Sequence, residues 1–252
     1  MRFASLGSGS AGNGLVVEAG ATRLLIDCGF PVEGTERRLA RIGLAPSGIT
    51  AIVVTHEHGD HADGVLPFAR RHGVQVWMTH GTARAVPGAT PEVRVFDSHL
   101  PFAIDGLEVC PFPVPHDARE PAQLVLTDGA SRLGVLTDTG SSTRHVEAML
   151  SGCDALVLEC NHDPAMLAAG PYPGWLKTRI GGPFGHLANG AAAALLAALD
   201  RSRLRHVVAA HLSETNNRPE LATAALARVL GCAPGEIVVA DQADGFGWLS
   251  LV

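Results

Sequence analysis

The sequence predicts a layered α/β fold, and three observations carry that prediction. Short apolar runs bounded by Gly, Asn or Pro read as strands. They come in a run early and alternate with helical patterns later, which favours layers over a purely parallel sheet. The composition also supports a core: of 252 residues, 46% are hydrophobic and 17% charged, which rules out a disordered chain. A chain of this length buries roughly three quarters of its unfolded surface, and one domain over residues 1–252 is expected. In order, strands are predicted at Arg2 to Leu6, Leu15 to Ala19 and Arg23 to Cys28, then a helix from Glu33 to Ile42 and a strand from Ala51 to Thr55. A helix from Gly64 to His72, closed by Gly73, leads to a strand from Gln75 to Thr79. Strands follow at Leu107 to Cys110, Gln123 to Thr127, Leu133 to Thr137 and Ala155 to Glu159, with a helix from Thr143 to Leu150. The stretch from Pro164 to Gly185, rich in Gly and Pro, reads as an irregular functional loop. Helices from Asn189 to Leu199 and Arg218 to Leu230 flank a strand from His206 to Ala210, and a strand from Glu236 to Ala240 comes last.

Composition bounds function further. A formal charge of −6 argues against a protein that coats nucleic acid non-specifically, though not against a local basic track. Five scattered cysteines without a C-x-x-C pair exclude a thiolate zinc knuckle and point to free thiols. No apolar run approaches the ~20 residues of a membrane span. The chain passes from Arg2 into Ser5-Leu6-Gly7 without the apolar region of a signal peptide, so a cytoplasmic protein is expected. Twelve histidines against one tyrosine are the composition's oddity, because imidazole is the commonest metal ligand.

One motif misleads. Gly7-Ser8-Gly9-Ser10-Ala11-Gly12 matches G-x-G-x-x-G and has Asp27 downstream, but a strand follows it, not the helix whose N-terminus would hold a pyrophosphate. A tight turn between strands is the expected role.

A second motif carries chemistry. His56-Glu57-His58-Gly59-Asp60-His61 follows directly on the strand at Ala51 to Thr55. In an extended or loop backbone alternate residues project to one side, so His56 and His58 converge on one metal while Asp60 and His61 turn toward a second position. Burying so many imidazoles and carboxylates unpaired is costly, and a metal removes that cost. Two metals need more than four ligands. The sequence offers His116, Asp138 and His211, each closing an apolar strand, where α/β folds place their sites.

In that order, HEHGDH, His116, Thr137-Asp138-Thr139-Gly140 and His211 resemble the metallo-β-lactamase superfamily along nearly the whole chain. The resemblance implies a four-layer αβ/βα sandwich with a dinuclear site on one edge. It implies His56, His58 and His116 as ligands of one metal, Asp60, His61 and His211 as those of the other, and Asp138 as the bridging carboxylate. Four strings are similar to the WalJ/YycJ group of bacterial proteins: Ser5 to Asn13, Glu159 to Asp163, Gly185 to Asn189, and His211 to Asn217. That similarity implies 5′-to-3′ exonuclease activity, with DNA as substrate. Ala11 and Ala188 stand where Ser is expected and remove no ligand.

Such a metal pair, about 3.5–4 Å apart, lowers the pKa of bound water toward ~7 and clamps the attacking and leaving oxygens of a phosphodiester. The expected nucleophile is a bridging hydroxide oriented by Asp60 and Asp138. Zinc suits the donors, with manganese and iron open. For the proton donor, or for gripping phosphate, the candidates are His162 and His186, the latter just before a helix that Asn189 is placed to cap. A structural role competes for each. Lys177 and Arg179 are candidate phosphate contacts, with Glu214 and Asn216 as further substrate-side candidates. Tyr172 and Trp175 either stack on a base or anchor the loop. Arg37, Arg38 and Arg41, and likewise Arg201, Arg203 and Arg205, are either a DNA backbone track or solvated charges. Because the same ligands hydrolyse thioesters and lactones elsewhere in the superfamily, a small-molecule hydrolase of the glyoxalase II kind is the alternative.

Overall fold

The computed structural model describes residues 1–89 and 93–251. Strands β1 (Arg2–Gly7), β2 (Gly14–Ala19) and β3 (Thr22–Ile26) form an antiparallel meander. Parallel neighbours need a crossover. The chain makes them through α1 (Val32–Arg41), then β4 (Ala51–Val53), α2 (Gly59–Ala62), α3 (Val65–His72), β5 (Gln75–Thr79), α4 (His80–Ala85) and β6 (Arg94–Phe96). A second sheet repeats the plan. Strands β7 (Phe102–Ile104), β8 (Leu107–Pro113), β9 (Ala122–Thr127) and β10 (Arg132–Leu136) are antiparallel. After α5 (Arg144–Leu150), strand β11 (Ala155–Glu159) pairs in parallel with β10. Next come α6 (Pro164–Ala169), α7 (Gly174–Ile180), α8 (Asn189–Ala198), β12 (His206–Ala210), α9 (Pro219–Leu230) and β13 (Val238–Val239). Strand β14 (Phe246–Ser250) returns to pair with β1, giving two seven-stranded sheets among the described residues.

The two-residue period of a strand sends its side chains into two different cores. Leu24 and Ile26 of β3 meet Leu124, Val135 and Val157 between the sheets. Leu25 faces outward onto Leu39 of α1 and Phe68 of α3. On the other sheet Leu156 and Leu158 face outward onto Leu195, Leu196 and Leu226 of α8 and α9. Helix, sheet, sheet and helix make the expected α/β sandwich.

Several local expectations need correction. The stretch from Pro164 to Gly185 is not structureless but holds α6 and α7. Pro164 sits in the first turn of α6, where a missing N–H costs nothing, and the Asp163 carboxylate accepts from the N–H groups of Ala165 and Met166. Proline read as a breaker was here a helix start. Asn189 does not cap α8: Ala188 holds that position, and Asn189 exchanges side-chain hydrogen bonds with Asn217 at 2.8 and 2.9 Å. The expected strand from Glu236 to Ala240 shrinks to β13 because Pro234–Glu236 forms a 3₁₀ turn. Of the five thiols, Cys110 and Cys232 are half-buried and the others buried. No helix among the described residues is long and apolar enough to cross a membrane.

Candidate functional site

The four acidic and imidazole groups after β4 are separated by a tight turn. The N–H groups of His61 and Ala62 both donate to the His58 carbonyl at 2.9 Å, so α2 turns Asp60 and His61 onto a course separate from that of His56 and His58, with the His61 ring centroid still 4.2 Å from that of His56. From the second sheet, His116 follows β8, Asp138 follows β10 and His211 follows β12, all on the same edge. His211 has φ +55°, a left-handed conformation that a β-carbon disfavours. The Ser8 hydroxyl accepts from its N–H (3.0 Å), and Asn161 Nδ2 donates to its carbonyl (3.0 Å), which hold it there.

Two groups of donors result. His58 Nδ1 lies 3.0 Å from His56 Nε2 and 3.2 Å from His116 Nε2. Asp60 Oδ2 lies 3.4 Å from His61 Nε2 and 3.3 Å from His211 Nε2. Asp138 stands between them, with Oδ2 3.0 Å from His61 Nε2 and Oδ1 3.7 Å from His211 Nε2 and 3.9 Å from His116 Nε2. Despite that approach to His61, Asp138 Oδ2 is buried without a well-directed hydrogen bond among the described residues. Nitrogen and oxygen donors packed this closely, with an orphaned carboxylate oxygen among them, fit divalent cations. Asp138, Glu159, His186 and His211 also converge, so the site offers a further grouping of potential ligands.

Groups behind the rings orient them. Asp27, itself at φ +59°, places Oδ2 2.8 Å from His61 Nδ1, and both its oxygens accept from Thr55 at 2.8 Å. Thr55 Oγ1 is 3.0 Å from His56 Nδ1, and the Gly185 carbonyl is 3.0 Å from His116 Nδ1. Glu159, fully buried, lies 2.8 Å from His186 Nδ1 and accepts from Thr139 N–H at 2.8 Å. Such partners fix a ligand's tautomer and direction. Burial, reinforced at His56 by the neighbouring His61, holds His56 and His116 below the ordinary imidazole range. Burial acts the same way on His61, His186 and His211, but carboxylates overturn it. Asp138 and Asp27 hold His61 well above that range, hydrogen bonds to Asp138 and Glu159 do so for His186, and Asp138 with Asp60 raises His211 to about 9. Asp60 and Asp138 are correspondingly held well below the carboxylate range, against the opposing effect of burial. Protons shared between buried carboxylates and imidazoles are what a divalent cation displaces.

A cavity of about 400 Å³ opens over these groups, lined by His58, Asp60, Asp138, His186 and His211 on its floor and by Ser10, Asp117, Tyr172, Leu176, Arg179 and Ile180 on its walls. The sequence-predicted residues divide accordingly. His186 and Arg179 face the cavity. His162 does not: it is buried, and its Nδ1 has no hydrogen-bond partner among the described residues. Lys177 donates to the Ala168 carbonyl and is not part of the lining, Asn216 is buried and bonds to Ser213, and Glu214 is exposed outside the lining. Sequence reasoning missed Asp27, Asp117 and the Gly-rich loop as parts of the site. Asp27 closes an apolar strand as Asp138 and His211 do, and that signal could have found it. Asp117 accepts from Arg179 Nε at 2.5 Å and lies 3.6 Å from His116 Nε2. Of the misleading Gly-rich motif, Ser10 lines the cavity. Asn13 Nδ2 is 3.3 Å from Asp60 Oδ2 and 3.1 Å from His61 Nε2, and a β-carbon at Gly12 (φ +151°) would sit 2.5 Å from the Phe30 ring.

Donors for metals at the shared edge of two facing α/β layers define a class, the metal-dependent hydrolases of the metallo-β-lactamase fold. The beta-lactamase superfamily domain model matches residues 22–211, and the chain belongs to that superfamily. It is 34% identical over 236 residues to the exodeoxyribonuclease YycJ of Bacillus anthracis, covering 91% of this chain and 89% of that one. It is 30% identical over 228 residues to the exodeoxyribonuclease WalJ of Streptococcus pneumoniae, covering 88% and 85%. The metallo-beta-lactamase fold protein YhfI of Bacillus subtilis superposes over 99% of both chains with a TM-score of 0.75 at 14% identity, which shows the shared fold.

Proposed function

We propose that the protein is a two-metal phosphodiesterase acting as a 5′-to-3′ exonuclease on DNA in the cytoplasm. The observation that carries the reading is the pair of donor groups joined by Asp138 on the floor of a cavity whose wall presents the Arg179 guanidinium. Similarity to two exodeoxyribonucleases over most of the chain supports the choice of substrate. His56, His58 and His116 would hold one divalent cation, zinc or manganese, and Asp60, His61 and His211 the other, with Asp138 reaching both. Two such cations supply an activated water at neutral pH and neutralise charge on phosphate.

The chain's own residues do the rest. Arg179, steadied at Nε by Asp117, keeps its terminal fork for a phosphate oxygen. Asp60 and Asp138 orient the attacking group. His186, held at Nδ1 by Glu159, keeps its other ring nitrogen to protonate the leaving oxygen. That role falls to His186 and not to His162 because only His186 lines the cavity.

The test incubates purified protein with Mn²⁺ or Zn²⁺ and end-labelled duplexes bearing 5′-phosphate or 5′-hydroxyl, alongside a thioester and a β-lactam. Mononucleotide release that disappears in Asp60→Ala is expected. Thioester turnover with intact DNA would overturn the reading.

A further inference from the structure

The two arginine clusters that sequence alone left equivalent are not equivalent in the fold. Arg201 donates to the Val229 carbonyl, Arg203 pairs with Asp154 at 3.0 Å, and Arg205 donates to the Leu251 carbonyl. All three secure the second sheet's surroundings. On α1, Arg41 is likewise engaged, by Asp244 and the Leu6 carbonyl. Arg37 and Arg38 differ. Neither makes an ion pair among the described residues. Arg37 is exposed, while Arg38 donates from one terminal nitrogen to the Gly34 carbonyl of its own helix at 3.4 Å and lays its guanidinium 4.0 Å from the Phe30 ring centroid, with its Nε buried and, among the described residues, unpartnered.

Both line an open groove of about 520 Å³, floored by Phe30 and Gly34 and walled by Ala11, Gln242 and Ala243. Among the described residues the one acid on its lining, Glu33, is drawn toward Arg71 at 2.8 Å. The groove and the metal-site cavity lie on either side of one loop: Ser10 lines the cavity, and the next residue, Ala11, about 3.8 Å further along the chain, lines the groove. The connecting loop is braced, with Ala11 N–H donating to Gln242 Oε1 at 2.9 Å and Gln242 Nε2 donating to the Gly12 carbonyl at 3.2 Å. Guanidinium groups crowded together repel one another, and burial with its neighbours Arg41 and Arg37 disfavours the charged form of Arg38. A polyanion lying in the groove relieves that repulsion.

We infer that this groove is the track for the DNA strand beyond the cleaved linkage, leaving the cavity past Ser10 and crossing α1 with its phosphates on Arg37 and Arg38. The inference rests on the nuclease reading and adds a phosphate subsite to it. Contacts of this kind carry affinity without sequence information and make it salt-dependent.

The test compares metal-loaded wild type, Arg37→Glu and Arg37→Glu/Arg38→Gln. Arg37 is exposed, so the single variant keeps the fold where loss of the Arg38 stack on Phe30 disturbs it. Binding is followed by fluorescence anisotropy with a phosphorothioate-linked strand of about 20 nucleotides over a salt series, and turnover with bis(p-nitrophenyl) phosphate, too short to reach α1. Expected are about tenfold weaker binding in the double variant and a salt slope shallower by about 0.7 per lost contact, with unchanged turnover of the small diester. A wild type that cleaves DNA while both variants bind with unaltered affinity and slope would overturn the track and leave the nuclease standing. A wild type that neither binds nor cleaves DNA would overturn both.

Discussion

The two sheets follow one plan, an antiparallel meander extended by parallel crossovers, yet they furnish the site in different ways. The first supplies His56, His58, Asp60 and His61 from a single turn after β4. The second supplies His116, Asp138 and His211 one at a time, from the ends of three strands far apart in sequence. The first set is local and holds its spacing through a few backbone bonds. The second exists only when the strands from β8 to β12 are paired in the second sheet, and it meets the first set only when the two sheets pack together. Their supports differ too: Asp27 stands behind the local set, while Glu159 stands behind His186 and, at 3.7 Å, His211. Completing the site is therefore tied to closing the sandwich.

That asymmetry can be broken at several points. Asp138 is the residue that stands between the two donor groups, so Asp138→Ala should lower turnover by about 10³-fold or more and reduce bound metal, a larger loss than the ~10–100-fold expected of a supporting group. Assays at saturating metal with metal content read in parallel check it. His186→Ala should lower turnover by about 10²-fold or more with metal content unchanged, as expected of a proton donor; loss of a metal ion would reassign the ring as a ligand. Asp27→Asn should weaken metal affinity by about 10–100-fold through the local set, measured by chelator competition. His162→Gln, outside the cavity, should leave turnover within about threefold of wild type on the same reasoning.

A further effect, on stability and not on turnover, lies away from the site. Asp154, buried beneath the second sheet, accepts from Arg132 N–H at 2.8 Å and pairs with Arg203. Burial pushes its pKa up, but the bonds from Arg203 and Arg132 prevail and hold it below the usual carboxylate value. A carboxyl whose folded pKa is depressed contributes stability above its unfolded pKa of ~3.9 and loses that contribution as pH falls through the folded value. Asp154→Asn should cost about 1–3 kcal/mol of stability near neutral pH, and the gap from wild type should narrow in acid. Urea melts at a series of pH values check this, and metal content should not change.

What was legible in the sequence follows the same division. The local set announced itself because its residues are contiguous and chemically dense. The distant set was legible at His116, Asp138 and His211 because each closes an apolar strand, and Asp27 shares that signature but was read within a nucleotide-binding motif. The roles of Asp117, Ser10 and Asn13 were not legible. They depend on which loops meet at the edge, and spacing along a chain says nothing of that. Likewise α6 and α7 were hidden by the very prolines that start them, and the difference between the two arginine clusters lies wholly in their tertiary partners. The layered fold needed only periodicity and strand order. The site's walls needed the packing.

The most direct test of the central claim, that both sheets build one two-metal centre around Asp138, is anomalous scattering from crystals of the protein loaded with Zn²⁺ or Mn²⁺. The account predicts two peaks about 3.5–4 Å apart, one against His56, His58 and His116 and one against Asp60, His61 and His211, with Asp138 touching both. A single peak, or a second ion held by Glu159 and His186 in place of Asp60 and His61, would contradict it.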